Sequence, residues 1–195
     1  MKNIIAWIAT LLCLLGTASP NALAADAQGF VGTTILIIRH AEKPANKADG
    51  PGLTPAGESR ARAYADYFRH FNVDGVPVQI DTLIATADTR NSDRPRLTVE
   101  PFSKASRLPI QQPFDDDNVK GLADWLASGP PNRKILIAWH HERIPKLLAA
   151  LGADPNSLIP GGAWPAQTYD WVIVLHYDGN GRLATSKRIV EPEFR

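Results

Sequence analysis

The chain has 195 residues with 21 basic and 20 acidic side chains, a formal charge of +1, and a single cysteine. That length accommodates one α/β domain with a full core, and apolar and aromatic contents are those of an ordinary globular protein. Near-neutral charge offers no general attraction to nucleic acid or to an anionic membrane surface, so any preference for anions must come from a local cluster.

In chain order, Met1-Lys2-Asn3 forms a short basic region and Ile4 to Gly16 an apolar run too short for a full membrane span. Ala22-Leu23-Ala24 supplies a small-x-small cleavage pattern. Residues 1–24 are therefore expected to be a signal peptide, with a retained membrane anchor as the alternative. The mature chain is expected to be exported, periplasmic or secreted, with no membrane attachment after cleavage. Cys13 follows Leu12 rather than a small residue, which argues against lipid attachment. Cleavage removes both Cys13 and Lys2, leaving 20 basic against 20 acidic residues and no thiol for disulfides, nucleophilic catalysis or zinc.

Residues 25–33 read as a leader, and a single domain is expected over 34–195. Thr34 to Ile38 is an apolar, β-branched run that suits a strand buried on both faces of a parallel sheet. It ends in Arg39-His40, and ligands of open α/β sheets sit beyond the carboxyl ends of the strands. An imidazole there can be nucleophile, base or metal ligand, and a guanidinium favours an anion such as phosphate. Glu42 through Gly52 is a polar, Pro/Gly-punctuated loop of the kind that contacts substrates.

Thr54 as N-cap and Pro55 at the first helical position predict a helix whose apolar stripe is Ala63, Tyr64, Tyr67 and Phe68; His70 falls at its surface end. A strand within 78–86 leads into a dense polar segment containing Arg90 and Arg94, and Pro95 opens a helix through Thr98, Val99, Phe102 and Ala105. Leu108 to Ile110 is an edge strand or connector. Asp115-Asp116-Asp117 precede a helix carrying Val119, Leu122, Trp125 and Leu126, a placement that suits the helix N-terminus. A hard-cation site of three successive acids is disfavoured, because adjacent side chains diverge. Ile135 to Trp139 is a second buried strand, ending in His140-His141-Glu142, and Pro145 opens the helix behind it. Trp171 to Tyr177 and Arg182 to Val190 flank Asp178-Gly179-Asn180-Gly181 and predict a closing antiparallel hairpin, with His176 structural.

Four landmarks in order resemble the histidine phosphatase (phosphoglycerate mutase-like) superfamily: Ile37-Ile38-Arg39-His40-Ala41-Glu42, Leu53-Thr54-Pro55-Ala56-Gly57, Arg94-x-x-x-Thr98, and Ile135 to His140. The resemblance implies a three-layer α/β/α sandwich with a mostly parallel, mixed sheet. It also implies a phosphomonoesterase that needs no metal or other cofactor, acting on a small phosphorylated substrate through a phosphohistidine on His40. Arg39, Arg94 and His140 would stabilise the transferring group, with His141 competing with His140 and Arg90 with Arg94. Glu42 would support the site. The general acid departs from the family's patterns; Glu142 is the candidate, with Asp115 to Asp117 behind it. The chain has no room for the large inserted helical domain of acid phosphatases and phytases. The second reading is an exported binding protein for phosphate or an organic phosphate, with a site that no longer turns over.

Overall fold

The computed structural model describes residues 28–46 and 50–194. The expected signal peptide, its cleavage point and most of the leader lie outside them.

The expected alternation of strand and helix is present, with additions. The strands are β1 (Thr34–Arg39), β2 (Asn72–Val73), β3 (Val76–Pro77), β4 (Thr82–Ala85), β5 (Ile110–Gln111), β6 (Lys134–Trp139), β7 (Trp171–Tyr177) and β8 (Leu183–Val190). The α-helices are α1 (Pro55–Tyr67), α2 (Arg94–Ser106), α3 (Val119–Ala127), α4 (Ile144–Ala150) and α5 (Pro155–Leu158). Six strands form one sheet in the order β5-β4-β6-β1-β7-β8. The four from β5 to β1 are mutually parallel, while β7 runs antiparallel to both β1 and β8. The sheet is therefore mixed and mostly parallel. Because β1 is central, both its faces are covered, and Ile35 through Ile38 are fully buried. Burying one such side chain is worth about 1.5–3 kcal/mol, so this strand is among the least free to shift.

The two faces carry separate cores. Ile35, Ile37, Ile135, Ile137 and Trp139 pack with residues of α3, α4 and α5, while Leu36, Ile38, Leu136 and Ala138 pack with Tyr64 of α1, Phe68 just after it, and Val99 and Phe102 of α2. These are the three layers the sequence predicts, and strand alternation decides which residue meets which layer.

Several local expectations need correction. The buried stripe of α1 is Gly57, Ala61, Tyr64 and, just beyond the helix, Phe68; Ala63 is only half-buried. The strand expected within 78–86 is β4, at Thr82–Ala85. Just before it, β2 and β3 form a hairpin whose turn residues Asp74 and Gly75 both have positive φ, an Asp-Gly turn readable from sequence. The triple acid does not enter the first turn of α3. Asn118 caps that helix by accepting from Gly121 N, and Asp115 accepts from Asn118 N one step earlier. The acids therefore shape the loop before the helix rather than its dipole.

Candidate active site

Parallel register brings the two histidines together. Arg39 pairs with Trp139, so the next residues, His40 and His140, leave the sheet side by side, and His40 N–H donates to Trp139 O at 3.0 Å. Their ring centroids are 5.2 Å apart; His141 lies 6.4 Å from His40. His40 is 1 % exposed, which makes a charged imidazole costly there. Burial lowers its pKa well below the usual histidine value, and His140, Arg39 and Arg94 push it further down, against a rise from the Ala41 carbonyl. His40 is therefore neutral at physiological pH. Its Nδ1 lies 2.7 Å from Ala41 O; a carbonyl can only accept, so Nδ1 holds the proton and Nε2 presents its lone pair.

Arg39 has the parity of Ile35 and Ile37, and its guanidinium extends under the loop before β7. NH1 donates to Ala166 O at 2.7 Å, Thr168 O at 3.0 Å and Pro165 O at 3.4 Å, and NH2 donates to Tyr169 Oη at 3.1 Å. The Tyr169 ring lies under the guanidinium, 3.8 Å from Cζ, and 6.5 Å from the His40 ring. Tyr169, which precedes the expected hairpin and was not singled out from the sequence, thus joins the candidate site.

Arg94 is the first residue of α2, where the helix dipole adds positive potential. Its NH1 donates to Pro51 O at 3.1 Å, and its charge helps to lower the pKa of both His40 and His140. One turn on, Thr98 Oγ1 donates to Arg94 O and accepts from Ala41 N, both at 2.8 Å, tying α2 to the loop after β1. Arg90 is exposed on the preceding turn. Of the two competing arginines, the structure brings Arg94 to the histidines.

Among the described residues, the buried Nε–H groups of both Arg39 and Arg94 lack an acceptor. A buried donor without a partner costs about 1–3 kcal/mol, and an anion is the kind of acceptor that each of these guanidiniums would take. Thr86, the residue after β4, has a fully buried hydroxyl that also lacks a partner. It follows the Ala85–Ala138 pair, at the same sheet edge where β6 ends.

His140 is half-buried, and burial is the main cause lowering its pKa, opposed first by Asp116. Burial and the Arg39 charge take His141 down to about 4. Glu142 is exposed, and its charge acts on His140, His141 and Arg39. Within the acidic triplet, Asp117 pairs with Arg143, Asp115 holds Asn118, and the half-buried Asp116 is the one whose charge reaches His140. Glu42 points elsewhere: its carboxylate receives Arg60 Nε at 3.0 and 3.2 Å and NH2 at 2.9 Å, so it is occupied by a structural cation rather than turned to a ligand. Among the described residues, no three His, Cys, Asp or Glu side chains are grouped to hold a metal ion.

No family model matches the sequence, nor does any curated protein. Solved structures do match. A phosphoserine phosphatase variant from Entamoeba histolytica, its histidine replaced by alanine and phosphoserine bound, superimposes with a TM-score of 0.53 at 14% identity, covering 79% of this chain and 96% of that one. A structure from Agrobacterium tumefaciens provisionally named phosphohistidine phosphatase SixA gives 0.51 at 17% identity, covering 75% and 93%. The product of the Mycobacterium tuberculosis open reading frame Rv3214 gives 0.51 at 12% identity, covering 82% and 97%. The likeness places this chain in the phosphoglycerate mutase-like fold.

Proposed function

We propose that this protein is a phosphomonoesterase that passes the phosphoryl group through His40. The observation that carries the reading is the Ala41 carbonyl on His40 Nδ1, which leaves Nε2 bare beside His140 and two guanidiniums with unused donors. Nε2 attacks phosphorus as the ester oxygen departs in line, giving a phosphohistidine and an alkoxide that must take a proton. Arg39 Nε, Arg94 and His140 stabilise the equatorial oxygens, which is where most of the rate enhancement of phosphoryl transfer arises. Water then attacks the phosphohistidine, passing a proton to the carboxylate that protonated the alkoxide, which releases phosphate and restores both neutral His40 and the acid.

We assign the proton donor to Asp116 in preference to Glu142, because it is the less exposed and acts more strongly on His140. Asp116→Asn should slow hydrolysis of an alkyl phosphate by on the order of 100-fold, but hardly affect p-nitrophenyl phosphate, whose leaving group needs no proton. If Glu142→Gln shows that pattern instead, the assignment moves to Glu142.

Rapid quenching during turnover of a labelled ester tests the central claim. Label should appear on the protein, survive alkali, be lost in acid, and be absent from His40→Ala. Saturable phosphate binding with no label across a broad panel of esters would favour the exported binding protein instead. Turnover abolished by a chelator and restored by zinc or manganese would make the histidines ligands. Export after cleavage behind Ala24 belongs to the same proposal, and the intact mass of the exported chain, expected to begin at Ala25, tests it.

A further inference from the structure

Glu42 is gripped by one face of α1 and its N-cap. Thr54 N donates to Glu42 O at 2.9 Å, and Thr54 Oγ1 reaches the same oxygen at 3.3 Å. Gly57 packs against that backbone so tightly that an added Cβ would lie 2.4 Å from Glu42 O. Arg60, one turn on, clamps the Glu42 carboxylate through Nε and NH2 in the forked geometry that fixes both partners. Arg60 is itself anchored from the opposite end of the chain, where Glu191 Oε2 accepts its NH1 at 2.8 Å. The Glu191 side chain is fully buried and also accepts from Tyr64 Oη.

The peptide between Ala41 and Glu42 is thus the object held. Thr98 fixes its near side through Ala41 N, and Arg60 fixes its far side through the Glu42 carboxylate. The carbonyl of that peptide is the acceptor for His40 Nδ1. A turn of the peptide plane would withdraw the acceptor and free the ring to place its proton on Nε2, where it would block attack. Arg60 and Glu191 bear on Glu42 and on each other, and act on His40 only through that peptide. Resting on the phosphohistidine reading above, we infer that Arg60, braced by Glu191, is a positioning residue that keeps His40 in its nucleophilic tautomer by holding the Ala41–Glu42 peptide through Glu42.

The histidine side-chain nitrogens of ¹⁵N-labelled protein at neutral pH read this directly, with His40 identified by its loss in His40→Ala. In the wild type, Nδ1 should be protonated and Nε2 bare. Arg60→Met should give a mixture of tautomers at His40 alone and lower kcat about tenfold, with KM within about twofold, as expected for a slightly misplaced reacting group. Arg60→Lys, which restores one of the contacts, should recover most of the wild-type pattern. If Arg60→Met does not fold, Glu42→Gln keeps the shape, weakens the clamp and should produce the same mixture. The nitrogen signals remain readable even if the protein hydrolyses no ester, so failure of the phosphatase reading is separable from failure of this one. A folded variant with an unchanged His40 pattern overturns the inference whatever happens to turnover, and so does a wild-type His40 protonated at Nε2.

Discussion

His40 is kept neutral chiefly because it is buried, and three neighbouring basic groups add to the effect. A base with a depressed pKa holds its unprotonated form down to lower pH. The acid limb of kcat/KM should therefore fall well below 6.5, and a limb at or above 6.5 would show that His40 is not the titrating nucleophile. Geometry also ranks the competitors. His140→Ala and Arg94→Ala should each lower kcat by two or more orders of magnitude, about 3 kcal/mol of transition-state stabilisation, whereas His141→Ala and Arg90→Ala should do far less. The reverse ranking, from steady-state kinetics, would move the site by one residue or one turn. His40, His140 and Arg94 were legible because each sits where a recognisable element begins or ends. Tyr169 was not, since a tyrosine in a loop carries no pattern until the fold sets it against Arg39. Glu42 was expected to support the site, and only packing reveals the arginine that takes its carboxylate.

At the level of elements, β1 and β6 were readable because uniform apolar runs of that length have few other uses, and α1 and α2 because proline and a capping threonine punctuate them. The register of α1 was harder. Its true stripe includes a glycine, which no hydrophobic pattern counts, yet Gly57 is where the helix comes closest to the loop after β1. A methyl group there would meet Glu42 O at 2.4 Å and Glu42 N at 2.9 Å, both backbone atoms that cannot swing aside. Gly57→Ala should consequently destabilise the fold by about 1–3 kcal/mol despite alanine's better helix propensity. Thermal unfolding is the check. A stabilised Gly57→Ala would mean that α1 can slide away from the loop and that the contact is loose. The same spacing explains why a Leu-Thr-x-x-Gly sequence accompanies a histidine at the end of the first strand: the threonine and the glycine both address the residue two beyond it.

Across the whole molecule, the mixed sheet brings the end of β8 back to the edge where β1 ends, and Glu191 enters the interior there. Burial raises its carboxyl to about 7, outweighing the hydrogen bonds from Tyr64 and Arg60, while Asp170 adds to the rise. Arg60 stays charged, chiefly because its bond to the Glu42 carboxylate offsets its own burial. An acid whose folded pKa exceeds its unfolded one binds its proton more firmly in the native state. Between about 4.5 and 7 the unfolded chain has lost that proton and the folded chain has kept it, so stability from this group falls as pH rises and is level above 7. The loss should be on the order of 3 kcal/mol. Histidines slope the other way: His141, with a folded value of about 4, remains neutral while its unfolded counterpart takes a proton, so its contribution rises with pH up to about 6.5. A wild-type stability curve alone would mix the two. The difference between wild type and Glu191→Gln isolates the carboxyl, since the histidines cancel. Denaturant unfolding from pH 4.5 to 8 should show the wild type losing ground to the variant as pH rises to 7, and none beyond. A difference that is flat, or that slopes the opposite way, would mean that Glu191 is ionised against Arg60 throughout and that their attraction outweighs the cost of burying the charge.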